Sequence, residues 1–128
     1  VYKRQEVLEA RERSLPEERW PLAYPLHGLG TTLMKAGRHE EAEQVLRRTL
    51  DVLTEAPDAA DRLAYLIGTA RTSLAKCLLA QGRLDESEQV VWQALEGLSS
   101  RPDLKSTTDN LQNQLDAIAL ARSEASIQ

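Results

Sequence analysis

Apolar residues recur at steps of three and four along most of this chain, which is the spacing of one face of an α-helix. The first such run is formed by Leu22, Leu26, Leu29, Leu33 and Met34. The second run is formed by Ala42, Val45, Leu46, Thr49, Leu50 and Leu53. Gly37 separates the runs, and Glu40 and Glu41 follow it where the start of a helix favours negative charge. The pattern therefore predicts two helices joined by a turn at Gly37.

The same pattern occurs again 45 residues later, with GRHEEAEQV at residues 37–45 and GRLDESEQV at residues 82–90. Overlaying residues 29–58 on residues 74–103 gives twelve identical pairs, more than chance readily produces in such a window. This predicts a helix over about 58–81, a turn at Gly82 and a helix over about 84–99. The apolar lining of the first is Tyr65, Leu66, Leu74, Leu78 and Leu79. That of the second is Val90, Val91, Ala94, Leu95 and Leu98.

Two helical hairpins cannot bury their apolar faces alone, so we expect them to stack into an all-α superhelix, or solenoid. The predicted units are residues 16–57 and 58–102, punctuated by Pro57 and Pro102. Residues 6–15 resemble the end of a preceding unit, and 103–128 the first helix of a following one. Residues 1–5, VYKRQ, match the translation of a transposon-type sequencing adaptor. We interpret them as non-native residues at the start of a metagenomic fragment, the alternative being a natural helical start.

The repeated positions resemble the tetratricopeptide repeat. That family has a Leu-Gly pair and a large residue in its first helix, a glycine turn, and small, large and small residues in its second. The corresponding residues in the first unit are Leu29, Gly30, Leu33, Gly37, Ala42, Leu46 and, less well, Thr49. Those in the second unit are Leu74, Ala75, Leu78, Gly82, Ser87, Val91 and Ala94. The resemblance implies that the small residues let the two helices of each unit approach closely.

The period of 45 is longer than the family's usual one of about 34, and is similar to the kinesin-light-chain type of repeat. That type is common in bacterial multidomain regulators, including regions that follow serine/threonine kinase domains. It often carries paired asparagines before the Leu-small pair, where this chain has His27-Gly28 and Thr72-Ser73. Peptide-backbone recognition by those asparagines is therefore not implied for this chain.

Composition and charge exclude several kinds of site. The net charge of −4 argues against nucleic-acid binding, which needs a basic face. One cysteine allows no internal disulfide and no cysteine-based metal cluster, and no apolar run approaches the roughly 18 residues of a membrane span. We predict that His39 is a solvated turn residue and Cys77 a small apolar one. A Cys77–His27 nucleophile pair is not expected, because the two lie at different heights in their helices. We therefore expect no enzyme activity, no metal and no cofactor.

The resemblance also implies a binding surface, because first helices line the concave groove in solenoids of this family. By position, the candidate groove residues are Tyr24, His27, Thr31, Met34, Thr72, Lys76 and Leu79. For His27, contact with a ligand and simple packing both remain open. Trp20 and Trp92 are either exposed contact residues or packing residues, Trp92 then lying on the terminal helix.

These observations together predict a protein–protein interaction scaffold or sensor module, a fragment of a larger cytoplasmic bacterial regulator. Its partner is expected to be a protein or peptide, and exposed repeat ends allow a homodimer. Two alternatives remain: the regulatory region of a serine/threonine protein kinase, and a groove that binds a small ligand or signalling peptide. No kinase signature occurs in these residues.

Overall fold

The computed structural model describes residues 16–127, and all regular secondary structure within them is helical. The helices are α1 (Pro16–Arg19), α2 (Ala23–Lys35), α3 (His39–Thr54), α4 (Ala59–Arg62), α5 (Ala64–Ala80), α6 (Leu84–Gly97) and α7 (Lys105–Ile127). Single 3-10 turns, Trp20–Leu22 and Pro102–Leu104, precede α2 and α7. The all-α prediction is confirmed. The predictions for residues 1–5 and 6–15 lie outside the described residues, and the unit boundaries stay predictions.

Two hairpins, α2–α3 and α5–α6, form the body of the fold, and each turns at the predicted glycine. Gly37 has φ 78° and Gly82 has φ 76°, a left-handed backbone that glycine adopts without steric cost. The Arg38 amide donates to the Leu33 carbonyl at 2.9 Å, and the Arg83 amide to the Leu78 carbonyl at 3.0 Å. This is the Schellman arrangement that closes a helix end. The two turns thus repeat in conformation as well as in sequence.

The hairpins stack because α3 packs against α5, and α7 then covers α5 and α6. One cluster of buried residues joins the start of α2, the end of α3 and the start of α5. A second cluster joins the start of α3 to the end of α5, with Leu46, Leu74 and Leu78 at its centre. A third joins α5, α6 and α7 through Val91, Leu111 and Ile118. The apolar core therefore runs continuously through the stack, as repeat architectures require.

Within each hairpin, a small residue of the first helix is paired with a branched residue of the second helix. Gly30 of α2 faces Leu46 of α3, and a Cβ added to the glycine would lie 2.7 Å from Leu46 Cδ2. At the repeat-equivalent positions, Ala75 and Val91 are both fully buried. Gly30, the smaller of the two small residues, thus faces Leu46, the larger of the two branched residues. The summed side-chain volume is therefore nearly the same in the two hairpins.

Two carboxylates join successive units at equivalent positions, and we call Glu43 and Glu88 the inter-unit carboxylates. Glu43 of α3 accepts hydrogen bonds from Gln81 and Arg83 beyond α5, and its neighbour Arg47 donates to it at 3.0 Å. Glu88 of α6 accepts one from Arg122 of α7 at 2.9 Å. Each unit therefore holds the next through the same carboxylate.

The connector between the hairpins differs from the prediction of one helix over 58–81. Asp58 adopts a left-handed backbone with φ 56°, α4 lasts one turn, and the chain leaves helical geometry at Leu63 before α5 begins. The Leu63 amide still donates to the Ala59 carbonyl, and its carbonyl accepts from the Ile67 amide. The break thus costs no hydrogen bond at Leu63, whose side chain is buried in the core. The other predicted ends are shifted by two residues or fewer, with α6 at Leu84–Gly97 and α7 at Lys105–Ile127.

Two residues predicted on buried faces are exposed. Leu29 is 44% exposed, whereas its equivalent Leu74 is 2% exposed because α3 covers it. No helix of the described residues takes the corresponding place against α2. Tyr65, predicted to line the start of α5, is also exposed.

Candidate functional site

The seven candidate groove residues differ widely in exposure. Tyr24 and Lys76 are exposed, His27, Thr31, Met34 and Leu79 are partly buried, and Thr72 is buried. The Thr72 hydroxyl donates to the Gly68 carbonyl at 2.8 Å, within its own helix. Met34 and Leu79 pack against core clusters. The accessible part of this surface therefore consists of Tyr24, Lys76 and the outer atoms of His27, Thr31, Met34 and Leu79.

His27 links the first helices of the two units. One of its ring nitrogens lies 2.8 Å from the Ser73 hydroxyl oxygen, so α2 and α5 are joined by a side-chain hydrogen bond. Burial lowers the pKa of His27, which keeps the imidazole neutral near pH 7. A neutral ring can accept a hydrogen bond from the Ser73 hydroxyl or donate one to it, so this position is polar but uncharged. Thr31 is also engaged locally, because its hydroxyl donates to the Gly28 carbonyl.

A small cavity of about 70 Å³ lies beside this hydrogen bond, between α2 and α5. Tyr24 and His27 line one side, and Leu66, Thr69 and Ala70 line the other. It holds roughly two water volumes, so it suits a methyl group or a small side chain. Larger contacts must come from the surface around it.

An exposed tyrosine lies at the start of each first helix, and the sequence pattern predicted only Tyr24 to be on the surface. The motif Leu-Ala-Tyr begins both first helices, at residues 22–24 and 63–65. In each copy the leucine and alanine are buried, while Tyr24 is 59% and Tyr65 57% exposed. These copies are 41 residues apart rather than 45, because α5 has 17 residues and α2 has 13. That difference is about one helical turn, and it hid the match from the 45-residue overlay.

The tryptophans have different environments. Trp92 on α6 is 54% exposed, so more than half of this residue is accessible to a partner. Trp20 is partly buried against the first core cluster, and its ring centroid lies 6.2 Å from that of Tyr24. The Trp20 ring thus packs beside the Tyr24 ring, at the start of a first helix. Trp92 lies instead on α6, the second helix of its hairpin.

The candidate nucleophile does not meet a histidine ring. The Cys77 thiol donates to the His39 backbone carbonyl at 3.1 Å, and burial raises its pKa. His39 is the first residue of α3 and is partly buried, and within the described range its Nδ1 has no hydrogen-bond partner, so the solvated-turn prediction for it was wrong. Across residues 16–127, no group of three or more His, Cys, Asp or Glu side chains could hold a metal ion. No helix in that range is long and apolar enough to cross a membrane.

Comparison with protein families accounts for this arrangement of paired helices. A family model described as Tetratricopeptide repeat matches residues 21–100, which include both hairpins. The chain belongs to the tetratricopeptide repeat family. Searches of curated proteins and of solved structures gave no significant match. Tetratricopeptide repeats generally mediate protein–protein interaction and are generally non-catalytic, so the exposed surface of the first helices is the natural place to look for a binding site.

Proposed function

We propose that this tetratricopeptide repeat chain is a protein-interaction module that binds an extended segment of a partner protein across α2 and α5. The observation that supports this most directly is the pair of tyrosines, Tyr24 and Tyr65, exposed at matching places on successive first helices. Tyrosine is enriched at interfaces, where a rigid ring buries much area and its hydroxyl keeps a hydrogen bond. Two such rings, one per unit, suit a partner that runs across the units.

The surroundings of the tyrosines supply the rest of the contact. The 70 Å³ cavity between α2 and α5 accepts a small apolar side chain. The neutral His27–Ser73 pair offers a polar contact without a buried charge, and Lys76 provides an exposed cation further along α5. Thr31, Met34 and Leu79 stay in the proposed surface only through their accessible edges. We leave Thr72 out of it because its hydroxyl is bonded within α5.

The wider setting is proposed from the resemblance to kinesin-light-chain-type repeats. In that setting, the module is a scaffold or sensor segment of a larger cytoplasmic bacterial regulator and has no enzyme activity of its own. Attachment to a serine/threonine kinase domain is the alternative setting. Sequencing the source DNA through both ends of this reading frame separates the two.

The binding surface is tested with a phage-displayed library of random peptides panned against the chain. For the selected peptides, Tyr24→Ala with Tyr65→Ala should weaken binding by about tenfold or more, since interface hot spots exceed about 1–2 kcal/mol on truncation. Trp92→Ala is the matched control, because it removes an equally exposed aromatic ring from α6. Unchanged affinity in the tyrosine variant, with its circular dichroism retained, would move the interface elsewhere.

We also propose that two copies associate through exposed apolar residues at the ends of the stack. Leu29 on α2 and Leu120 and Ile127 on α7 are exposed, and bare stacking faces favour pairing. Light scattering after size-exclusion chromatography should show a dimer that Leu120→Glu and Leu29→Glu convert to a monomer. A monomer at every concentration of the unmodified chain would contradict this.

A further inference from the structure

A second and larger cavity, of about 180 Å³, opens at the junction between the connector and the second hairpin. Six of its ten lining residues have no side chain beyond Cβ: Ala59, Ala60, Ala64, Gly68, Ala94 and Gly97. Thr54, Ile67 and Leu98 complete the apolar wall together with the aliphatic part of Arg71. None of these residues lines the cavity beside Tyr24. The two cavities are therefore separate places on the molecule.

Among the described residues, Arg71 is the only charged one that lines this cavity. Its guanidinium lies close to α6, where a Cβ added to Gly97 would be 3.6 Å from Arg71 Nη1. The side chain is partly buried, and burial lowers its pKa. Within residues 16–127, no carboxylate pairs with this guanidinium, and its nitrogens keep contact with solvent. By contrast, Arg83, Arg101 and Arg122 all have carboxylate partners.

An arginine in this position is partly withdrawn from water and has no carboxylate partner among the described residues. Guanidinium groups stay charged in proteins, and a charge withdrawn from water is unfavourable unless it is paired and hydrogen-bonded. The cavity wall has no acidic group to meet that need. An anion that enters the cavity from outside therefore meets a guanidinium that no carboxylate of the described residues neutralises.

The size and apolarity of the cavity restrict which anion fits. Its volume corresponds to roughly six water molecules, below the roughly 300 Å³ at which pockets for drug-sized ligands begin. A carboxylate matches the planar guanidinium fork with two parallel hydrogen bonds. The alanine and glycine walls suit an attached stem of two or three carbons. A phosphate group is less suitable, because only one charged donor faces the cavity.

We propose that this cavity binds the carboxylate of a short aliphatic acid, with Arg71 as the anion-binding residue and the small residues of α4, α5 and α6 around the stem. Two sources supply that chemistry: a free short-chain acid, and a glutamate side chain of a bound partner. In either case the site is independent of the tyrosine surface. Its occupancy would also fasten the connector to the second hairpin, since residues of both line it.

The test is a titration of the full chain with sodium butyrate, followed by two-dimensional ¹H–¹⁵N NMR. We expect saturable shifts of the Gly68 and Gly97 amide signals with a millimolar Kd, and no such shifts with the neutral isostere butyramide. Arg71→Gln should weaken binding by about tenfold or more, because it removes a charge-assisted pair of hydrogen bonds. Lys35→Gln is the control, since it removes an exposed cation from α2, which does not line this cavity.

A second variant keeps the proposal testable if Arg71→Gln fails to fold. Ala60 is exposed at the cavity, so Ala60→Leu should fill its mouth and weaken butyrate binding while Arg71 is kept. Equal shifts with butyramide, unchanged affinity in Ala60→Leu, or shifts that map away from α5 and α6 would each overturn the proposal. N-acetyl-glutamate amide, compared with its glutamine analogue, separates the two sources. Binding of both butyrate and the capped glutamate supports a partner side chain, and binding of butyrate alone supports a free acid.

Discussion

Adding one methyl group at Gly30 should destabilise the chain, although the same change usually stabilises a helix. The new Cβ would lie 2.7 Å from Leu46 Cδ2 and 2.9 Å from Leu46 Cγ, inside van der Waals contact. Leu46 is fully buried, so its side chain cannot turn toward solvent. Gly30→Ala therefore forces α2 and α3 apart or moves Leu46 off its rotamer.

The magnitude follows from two opposing contributions. Overpacking a core by a methyl group costs about 1–3 kcal/mol, whereas replacing glycine by alanine in a helix returns about 1 kcal/mol. The net loss for Gly30→Ala is thus about 1 kcal/mol. Gly28→Ala is the matched control on the same helix, because nothing lies within 4 Å of its added Cβ. It should stabilise the chain by about 0.5–1 kcal/mol, so the difference between the two variants isolates the steric cost.

The decisive assay is a double-mutant cycle with Leu46→Val, measured by urea unfolding and circular dichroism. Alone, Leu46→Val loses about 1 kcal/mol through one buried methylene and the space it leaves. Combined with Gly30→Ala it recreates the Ala75–Val91 pair of the second hairpin, where both residues are fully buried. The double variant should therefore be nearly as stable as the original chain. If the two losses simply add, Gly30 and Leu46 do not limit the helix spacing and the reasoning fails.

Three further outcomes are expected. Burial raises the pKa of Glu43, but hydrogen bonds from Gln81, Arg47 and Arg83 outweigh it and hold the pKa below 4.5. Its stabilising effect is thus present above pH 4.5 and lost as the pH falls through the folded-state value, so Glu43→Gln should cost about 1 kcal/mol at neutral pH and progressively less in acid. Cys77, buried and with a raised pKa, should react with iodoacetamide only slowly in the native chain and rapidly in urea. Leu74→Asp should abolish cooperative unfolding by burying an unpaired charge, whereas the equivalent Leu29→Asp should be tolerated.

For each of these expected outcomes, a specific experimental result would contradict the reasoning. If the stability difference between Glu43→Gln and the original chain grew in acid, the pKa of Glu43 would be raised in the folded chain rather than lowered. Fast native alkylation of Cys77 would mean that α3 and α5 separate readily. Equal damage from Leu74→Asp and Leu29→Asp would place Leu29 in the core. Circular dichroism during urea unfolding reports the first and third, and mass spectrometry of the alkylated chain reports the second.

The sequence was informative where one residue type decides the backbone or the spacing. Gly37 and Gly82 were identifiable as turns because a positive φ favours glycine. The Gly30/Ala75 pair was identifiable because it repeats opposite Leu46 and Val91. Both features are local to one hairpin, so periodicity and the internal repeat were sufficient to predict them.

The sequence was less informative where a side chain's surroundings depend on another unit. Leu29 and Leu74 are the same residue in the same motif, yet only Leu74 has a helix over it. Thr72 is polar and was assigned to the surface, but a hydrogen bond within its helix lets it be buried. Arg71 had no distinguishing feature in the sequence, because its lack of a carboxylate partner arises from small residues on α4 and α6. Contacts of this kind follow from the angle between helices, which hydrophobic spacing does not specify.

The inter-unit carboxylates also bear on how such a chain can lengthen by recombination. A tandem duplication of residues 58–102 would join Pro102 to Asp58, the same dipeptide that now joins Pro57 to Asp58. Glu88 would then meet a new Gln81 and Arg83, the groups that Glu43 already holds. A breakpoint inside a hairpin, such as duplication of residues 38–82, would instead set Ala75 against Leu46 and crowd the helix contact. Genetic exchange at the Pro-Asp junctions therefore keeps both the connector dipeptide and the inter-unit carboxylate contacts, whereas exchange inside a hairpin does not keep the helix contact.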